Sequence, residues 1–427
     1  MELEQSMKER LYDMIIGFMR TAKKPSAFAE LTAMLCRSQG LNLLFMRPDD
    51  VDINSNTVKG QLFHGSGWSE VTTEIPLVID STPASFKPKY QLVINHLRNH
   101  SNFTYDAKNT LDKHTLLERL KQDDKFSHLV IPSIQTDDFE DIIGFLNHHE
   151  AIVLKPIYSD RGRGIYKLFK ENDTYILSYL KKERIFQREE LEDYFKEFIK
   201  GRNYICQKYI SSRTKQGDPF DCRIHVQKDG NGQWVVVKNY IRIGIGQKVI
   251  SNVNQGGGIS DLIPFLKANF EKNWKEINRE IKKLAKSLPK KIESIKASPT
   301  MALGFDVAIN KSGELYLFES NGAPAIKTVL SKTSLLRVQY YEYMLNNIVD
   351  KNKLIKVNKA HSKILKKHVG DVQDKINRIE NQIAALKQER NQYKKEYNKM
   401  KNSNSWKLTV PVRKIGSLRR KFRKDNS

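Results

Sequence analysis

Apolar residues along the chain change their period several times, and each change marks an element. Over the first hundred residues the runs at 11–19 and 27–36 read as helices, and those at 41–46 and 75–79 as strands. Turns are expected at 54–56 and 60–67. This is a small α/β unit. Leu111, Leu116, Leu117 and Leu120 fit one face of a short helix.

From 151 the pattern is β-rich. A strand at 151–154 leads into a glycine-containing loop, 159–164, and a second strand at 165–169. After a helix at 191–200 and a strand at 204–210, strands at 223–227 and 234–243 are joined by Asp229-Gly230-Asn231-Gly232. Ile263, Leu266, Phe270, Trp274, Ile277, Ile281 and Leu284 predict a single long amphipathic helix. A hairpin, 302–309 with 314–319, turns at 310–313.

The period then changes again. Val369, Val372, Ile376, Ile379, Ile383 and Leu386 alternate steps of three and four, and Arg390, Tyr393, Tyr397 and Met400 keep the register. A narrow apolar seam this long predicts a coiled coil over 369–400, and with it a homo-oligomer. The expected organisation is an α/β domain at 1–105, subdomains at 106–210 and 211–350, a coiled coil at 351–402 and a basic amphipathic tail at 403–427.

Composition sharpens this picture. The chain has 427 residues, of which 39% are hydrophobic, too many for wholesale disorder and too long a chain for one core. The net charge is +24, but 23 Lys and Arg against 6 Asp and Glu fall after residue 350, so +17 belongs there and +7 to the rest. No zinc spacing, recognition helix or RNP-type strand accompanies the charge, which argues against a nucleic-acid-binding protein. Three cysteines, Cys36, Cys206 and Cys222, cannot build a disulfide framework. With no apolar run of about 18 residues and no secretory signal, a cytoplasmic protein is expected.

The chemistry sits in the β-rich part. Asp306 is on one strand of the hairpin at 302–319, and Glu319 and Asn321 end the other. Their oxygens can converge across paired strands to hold Mg²⁺; the plainer reading is three polar positions on a half-exposed hairpin. Lys155 precedes Ser159-Asp160-Arg161-Gly162-Arg163-Gly164, a loop whose backbone and cations suit phosphate but whose spacing is not that of a Walker loop. Arg223 and Arg242 lie on adjoining strands, with Asn252 and Asn254 before a triple glycine. Cys206 and Cys222 read as packing residues, and His225 as a satisfied structural histidine.

In order, Lys113, Lys155-Pro156 with its glycine loop, Gln207-Lys208-Tyr209-Ile210, Asp221-Cys222-Arg223, Asp306 and Glu319-Ser320-Asn321 resemble an ATP-grasp enzyme. Within that superfamily the sequence is most similar to the spore-coat-associated YheC/YheD-like group over roughly residues 40–330; the first hundred residues match poorly. The resemblance implies an α+β ATP-grasp fold, two subdomains gripping ATP, behind an N-terminal α/β domain. It implies ATP contacts from Lys113, Lys155, Ser159, Arg161, Gly162, Arg163 and Gly164, and adenine contacts from the hinge Gln207, Lys208, Tyr209 and Ile210. It also implies Mg²⁺ on Asp306, Glu319 and Asn321, with catalysis aided by Arg223 and Arg242. The implied reaction joins a carboxylate to an amine through an acyl-phosphate.

The tail around Asn404-Ser405-Trp406-Lys407-Leu408 resembles a terminal segment of bacterial polysaccharide-biosynthesis glycosyltransferases. Its Trp and aliphatics among basic residues suit an anionic membrane surface, at the inner face of the membrane, or a polysaccharide-synthesis protein. Together the halves point to cell-envelope or capsular polysaccharide synthesis, with uronic-acid amidation as the concrete expectation. A non-catalytic ATP-binding scaffold is the alternative.

Overall fold

The structure, a computed structural model, describes residues 14–108, 111–156, 164–201, 204–247 and 257–403. The chain divides into two compact units, Met1–His361 and Ser362–Ser427. The first carries three sheets in chain order.

The N-terminal sheet holds β1 (Ile15–Met19), β2 (Asn42–Met46), β3 (Val51–Asp52), β4 (Thr57–Phe63), β5 (Trp68–Glu74), β6 (Val78–Asp80) and β7 (Asn102–Phe103), with helices α1 (Ala27–Ser38) and α2 (Gln91–His100). Its order is β3-β4-β2-β1-β6-β7, with β5 on β4. Strands β2, β1, β6 and β7 run parallel. The helix expected at 11–19 is therefore a strand over its described part. Every residue of β1 is buried, the mark of a central parallel strand covered on both faces, whose solid apolar run shows no alternation. Gly60, expected in a turn, lies inside β4, where a Cβ would come 2.8 Å from the Phe45 carbonyl oxygen. Helix α1 formed as expected: Ser26 caps Ala29 N–H, and Ala29, Thr32, Ala33 and Cys36 recur on its buried face.

The middle sheet follows α3 (Lys113–Lys121). It comprises β8 (Ser133–Gln135), β9 (Ala151–Pro156), β10 (Tyr166–Glu171), β11 (Thr174–Tyr179), β12 (Lys182–Phe186) and β13 (Tyr204–Lys208), in the order β12-β11-β10-β9-β13-β8. Helices α4 (Phe139–Asn147) and α5 (Arg188–Phe198) cover one face, burying Ile142, Leu146, Leu191 and Phe195 against Ile152, Leu154, Leu168 and Cys206. The other face bears Val153, Lys155, Lys167 and Gln207.

The third sheet is β16-β15-β14-β17-β18, built from β14 (Phe220–Lys228), β15 (Trp234–Ile243), β16 (Gly258–Asp261), β17 (Ala302–Ile309) and β18 (Leu315–Asn321). The single helix expected at 263–284 is two, α6 (Leu262–Asn269) and α7 (Trp274–Lys296). The apolar period survives the break because both pack on one sheet face: Phe265, Leu266, Ile281, Leu284 and Leu288 meet Cys222, Ile224, Phe305 and Leu317. The break itself falls at Asn269, which accepts from Lys215 N–H at 3.0 Å and donates to the Phe265 carbonyl at 3.1 Å. Helices α8 (Leu330–Asn347) and α9 (Lys351–Asn402) complete the chain described. No helix among the described residues is long and apolar enough to cross a membrane.

A buried ionic knot ties α8 to the N-terminal sheet. Asp80, at the end of β6 and fully buried, accepts from Arg20 at 2.9 Å and from Arg337 and Tyr341. Burial would raise its pKa; Arg337 and Arg20 reverse that and hold it below the ordinary carboxylate value. Asp80→Ala would leave two guanidinium groups buried without their anion. It is expected to cost about 3–5 kcal/mol in denaturant unfolding. The exposed Lys59–Glu70 pair is the control, at most about 1 kcal/mol for Lys59→Ala.

His225, on β14, departs from the satisfied histidine expected of it. It is fully buried, and neither ring nitrogen has a hydrogen-bond partner among the described residues. Burial, then the fields of Arg223 and Arg337, lowers its pKa from 6.5 to about 3. Because the folded value lies below the unfolded one, the unfolded chain binds the proton first as pH falls. Stability present at pH 7 should thus be lost from pH 6.5 downward, by up to about 1.4 kcal/mol per pH unit from this group. In thermal melts across pH 4–7, His225→Leu should flatten this slope relative to wild type and be neutral or stabilising at pH 7.

Candidate functional site

The polar face of the third sheet is built by alternation. On β14, Phe220, Cys222, Ile224 and Val226 enter the core, which sends Asp221, Arg223, His225 and Gln227 to the opposite face. Register lines up the charges: Asp221 stands opposite Arg242 of β15, and Arg223 opposite Asp306 of β17. Asp306 is in turn opposite Glu319 of β18, and Gly304 opposite Asn321.

One irregularity makes this alignment work. Leu317 and Glu319 are two residues apart and in a regular strand would share a face. Leu317 pairs with Val307 in the core, whereas Glu319 pairs with Asp306 on the polar face. The register shift between Asp306 and Val307 inserts Phe318 as an extra residue, so the strand changes faces in mid-course. Glu319 and Asn321 thereby share the face of Asp306. Asp306, Glu319 and Asn321, expected together from sequence, do lie on adjoining strands of one face.

The arginines are bound to these carboxylates. Arg223 grips Asp306 with two bonds, Nε to Oδ1 and Nη2 to Oδ2 at 3.1 Å. Arg242 forks onto Asp221, both bonds 2.7 Å, and its Nη2 also reaches Asp306 Oδ2 at 2.8 Å. All four side chains are at least 86% buried, since the most exposed, Arg242, shows 14%. Burial would raise the Asp306 pKa, but Arg242 and Arg223 outweigh it and keep the group ionised. Burial would lower the Arg242 pKa; Asp221 and Asp306 drive it upward instead.

A carboxylate offers about four lone-pair directions, and the arginines take three of those on Asp306. One bond from Asp306, with oxygens from Glu319 and Asn321, is a donor set suited to Mg²⁺, which keeps waters and phosphates in its remaining positions. Among the described residues no group of three or more His, Cys, Asp or Glu could hold a metal; two carboxylates and one amide are what this face offers.

On the middle sheet, Lys155 donates from Nζ to Gln207 Oε1 at 2.9 Å, joining two of the expected nucleotide residues on one face. Lys167, which sequence reasoning missed, lies 4.5 Å from the Tyr209 ring centre and 4.3 Å from that of Phe169. Lys208 and Tyr209 have their N–H groups committed to the Pro132 and Ala151 carbonyls, both 2.9 Å. Ile210 leaves this sheet to pack with Ile131 and Ala308, which fastens the strap that follows β13, residues 209–212, to β17. Gly164 has φ +71°, and a Cβ there would lie 3.0 Å from Pro156 Cγ and 3.2 Å from the Tyr204 hydroxyl, so a side chain would crowd the turn before β10. Ser159, Arg161, Gly162 and Arg163 lie outside the described residues, as do Asn252 and Asn254, and Lys113 is placed only as the first residue of α3.

Two further residues carried no motif. Ser212 is buried; it donates to the Phe220 carbonyl at 2.7 Å and accepts from Ile309 N–H at 3.2 Å, pinning the strap to the third sheet. Lys296, the last residue of α7, brings its Nζ to 3.9 Å from where a Cβ on Gly322 would stand, beside Asn321. Burial lowers its pKa. Cys206 and Cys222 are buried packing residues as expected, Cys36 is buried too, and burial raises the Cys206 thiol to about 12.

The family model described as YheC/D like ATP-grasp matches residues 102–349. Two curated proteins of Bacillus subtilis (strain 168) are similar. Endospore coat-associated protein YheC is 23% identical over 341 residues, 76% of this chain and 93% of that protein; YheD is 20% identical over 333 residues, 76% and 73%. Among solved structures, D-cycloserine synthetase DcsG aligns at TM-score 0.47 and 14% identity, covering 77% of this chain and 98% of its own. N5-carboxyaminoimidazole synthetase from Staphylococcus aureus, complexed with ADP, aligns at 0.45 and 13%, covering 77% of each. With the family match running from β7 through α8 and including every side chain of the clamp, the chain belongs to the YheC/D-like ATP-grasp family.

Proposed function

We propose that this ATP-grasp protein is an ATP-dependent carboxylate–amine ligase that works through an acyl-phosphate. The observation that carries the reading is the row Arg242, Arg223, Asp306, Glu319, with Asn321 on the same face: cations for a transferring phosphoryl group next to hard oxygens for Mg²⁺. In the first step a carboxylate oxygen of the substrate attacks the γ-phosphorus and the bond to the β–γ bridging oxygen breaks, releasing ADP. In the second, an amine nitrogen attacks the acyl carbon, phosphate leaves with the C–O electron pair, and the nitrogen gives up its proton to water.

Asp306, Glu319 and Asn321 would hold Mg²⁺, which supplies charge neutralisation at the phosphates. Arg223 and Arg242 would face the transferring group already oriented by Asp306 and Asp221, so little reorganisation is needed during the reaction. Lys113 and Lys155 would meet the nucleotide phosphates, and Ser159, Arg161, Gly162, Arg163 and Gly164 would close over them. Gln207, Lys208, Tyr209 and Ile210 would line the adenine. Since the Lys208 and Tyr209 N–H groups and the Ile210 carbonyl, which accepts from Ser212 N–H at 2.9 Å, are already committed, the Lys208 and Tyr209 carbonyls and the Ile210 amide would be the groups to read the base.

The finer reading is amidation of a uronic-acid carboxylate during envelope or capsular polysaccharide synthesis, at the inner face of the membrane. Its support is the sequence of the segment after 403, set beside an enzymatic body. The spore-coat association of the two curated relatives is compatible with envelope work but names no substrate.

Purified protein given candidate uronic acids, amines and Mg·ATP should release ADP and phosphate in step with amide. AMP and pyrophosphate would overturn the acyl-phosphate route. Glu319→Gln should lower kcat at least about a hundredfold with the melting temperature little changed. Full cellular function in that variant would favour the scaffold reading instead.

A further inference from the structure

The second unit carries an apolar seam that is exposed among the described residues. Along α9, Val369, Ile376, Ile379, Ile383, Leu386, Tyr393, Tyr397 and Met400 are 42–67% exposed, on a helix whose remaining positions here are mostly polar. These residues take the a positions (Val369, Ile376, Ile383, Arg390, Tyr397) and d positions (Val372, Ile379, Leu386, Tyr393, Met400) of a heptad. We infer that α9 pairs with the same helix of a second copy, parallel and in register, as a two-stranded coiled coil. This stands apart from the ligase reading.

Layer composition chooses the direction. In the parallel, in-register pairing each seam residue meets its own copy. Six consecutive aliphatic layers, 369 to 386, then stack on one another, and the Arg and Tyr layers are kept to the C-terminal end. Full antiparallel overlap would instead set Val369 against Met400, Ile376 against Tyr393 and Ile379 against Arg390, which leaves only the central Ile383 and Leu386 layers aliphatic on both sides.

Charge agrees. In a parallel pair each g residue faces the e residue five positions on in the partner helix. Here Lys375 faces Glu380, Glu389 faces Lys394 and Glu396 faces Lys401, so all three fully charged pairs are of opposite sign, six per dimer. The antiparallel overlap offers four, from Lys375 with Glu396 and Glu380 with Lys387.

Arg390 is what favours two strands here, since the β-branched d residues Val372 and Ile379 alone would favour three. An a-position cation in a two-stranded coil can extend its head to solvent past the flanking Glu389 of the other helix, which a more enclosed trimer or tetramer core would prevent.

Light scattering on the full chain should give a dimer. Met400→Cys, oxidised, should yield disulfide-linked dimer, because a d residue meets its own copy within bridging distance. In antiparallel overlap the two copies of position 400 would stand about 47 Å apart, the rise of 31 residues. Tyr393→Cys is the second variant and should cross-link equally; the native cysteines are buried. Ile379→Asp should convert the dimer to monomer with ADP release retained. A wild-type monomer or trimer, or cross-linking that requires a mixture of Val369→Cys and Met400→Cys, would overturn the inference.

Discussion

The constraint on which the rest depends is the register of β14, β17 and β18. It places Arg223, Asp306 and Glu319 in one line across three strands, with the Arg242–Asp221 pair beside them. Two cations sharing one buried carboxylate are tolerable only because a second carboxylate, Asp221, stands by. Charges so deeply placed add little net stability, since desolvation offsets most of their attraction. Their effect is positional. A guanidinium forked onto a carboxylate has one orientation, so the polar face is set before any ligand arrives.

The surrounding architecture serves that face. Helices α6 and α7 occupy the opposite side of the third sheet, so alternation leaves only one side for polar residues. The strap from β13 brings the middle sheet alongside through Ile210 and Ser212, so the Lys155–Gln207 pair and the arginine clamp belong to one compact unit. Behind them the Asp80 knot joins the N-terminal sheet to α8, the helix that takes a hydrogen bond from Gln227 of β14 at the Thr333 carbonyl.

Much of this was legible in the sequence because strand alternation and motif order are local properties. The order from Lys113 to Asn321 is enough to indicate the fold, and Asp306, Glu319 and Asn321 fall on one hairpin as their spacing indicates. The arginine–aspartate pairing was not legible, because alternation assigns a residue to a face but not to a partner. The extra residue at Phe318 hid the face change, since counting by twos would place Leu317 and Glu319 together. Strand β1 reads as a helix in sequence because a strand buried on both faces shows no alternation to distinguish it from a short buried helix. Asp80, Ser212 and Lys296 find their partners through long-range contacts for which the sequence holds no pattern.

The central claim is that the clamped face holds Mg²⁺ and nucleotide together. Calorimetric titration of the full chain with a non-hydrolysable ATP analogue, with and without Mg²⁺, tests it most directly. Wild type should bind the analogue with Mg²⁺ at least tenfold more tightly than without, and Asn321→Ala should lose that difference while remaining folded. Equal affinity with and without the metal, in both proteins, would contradict the account.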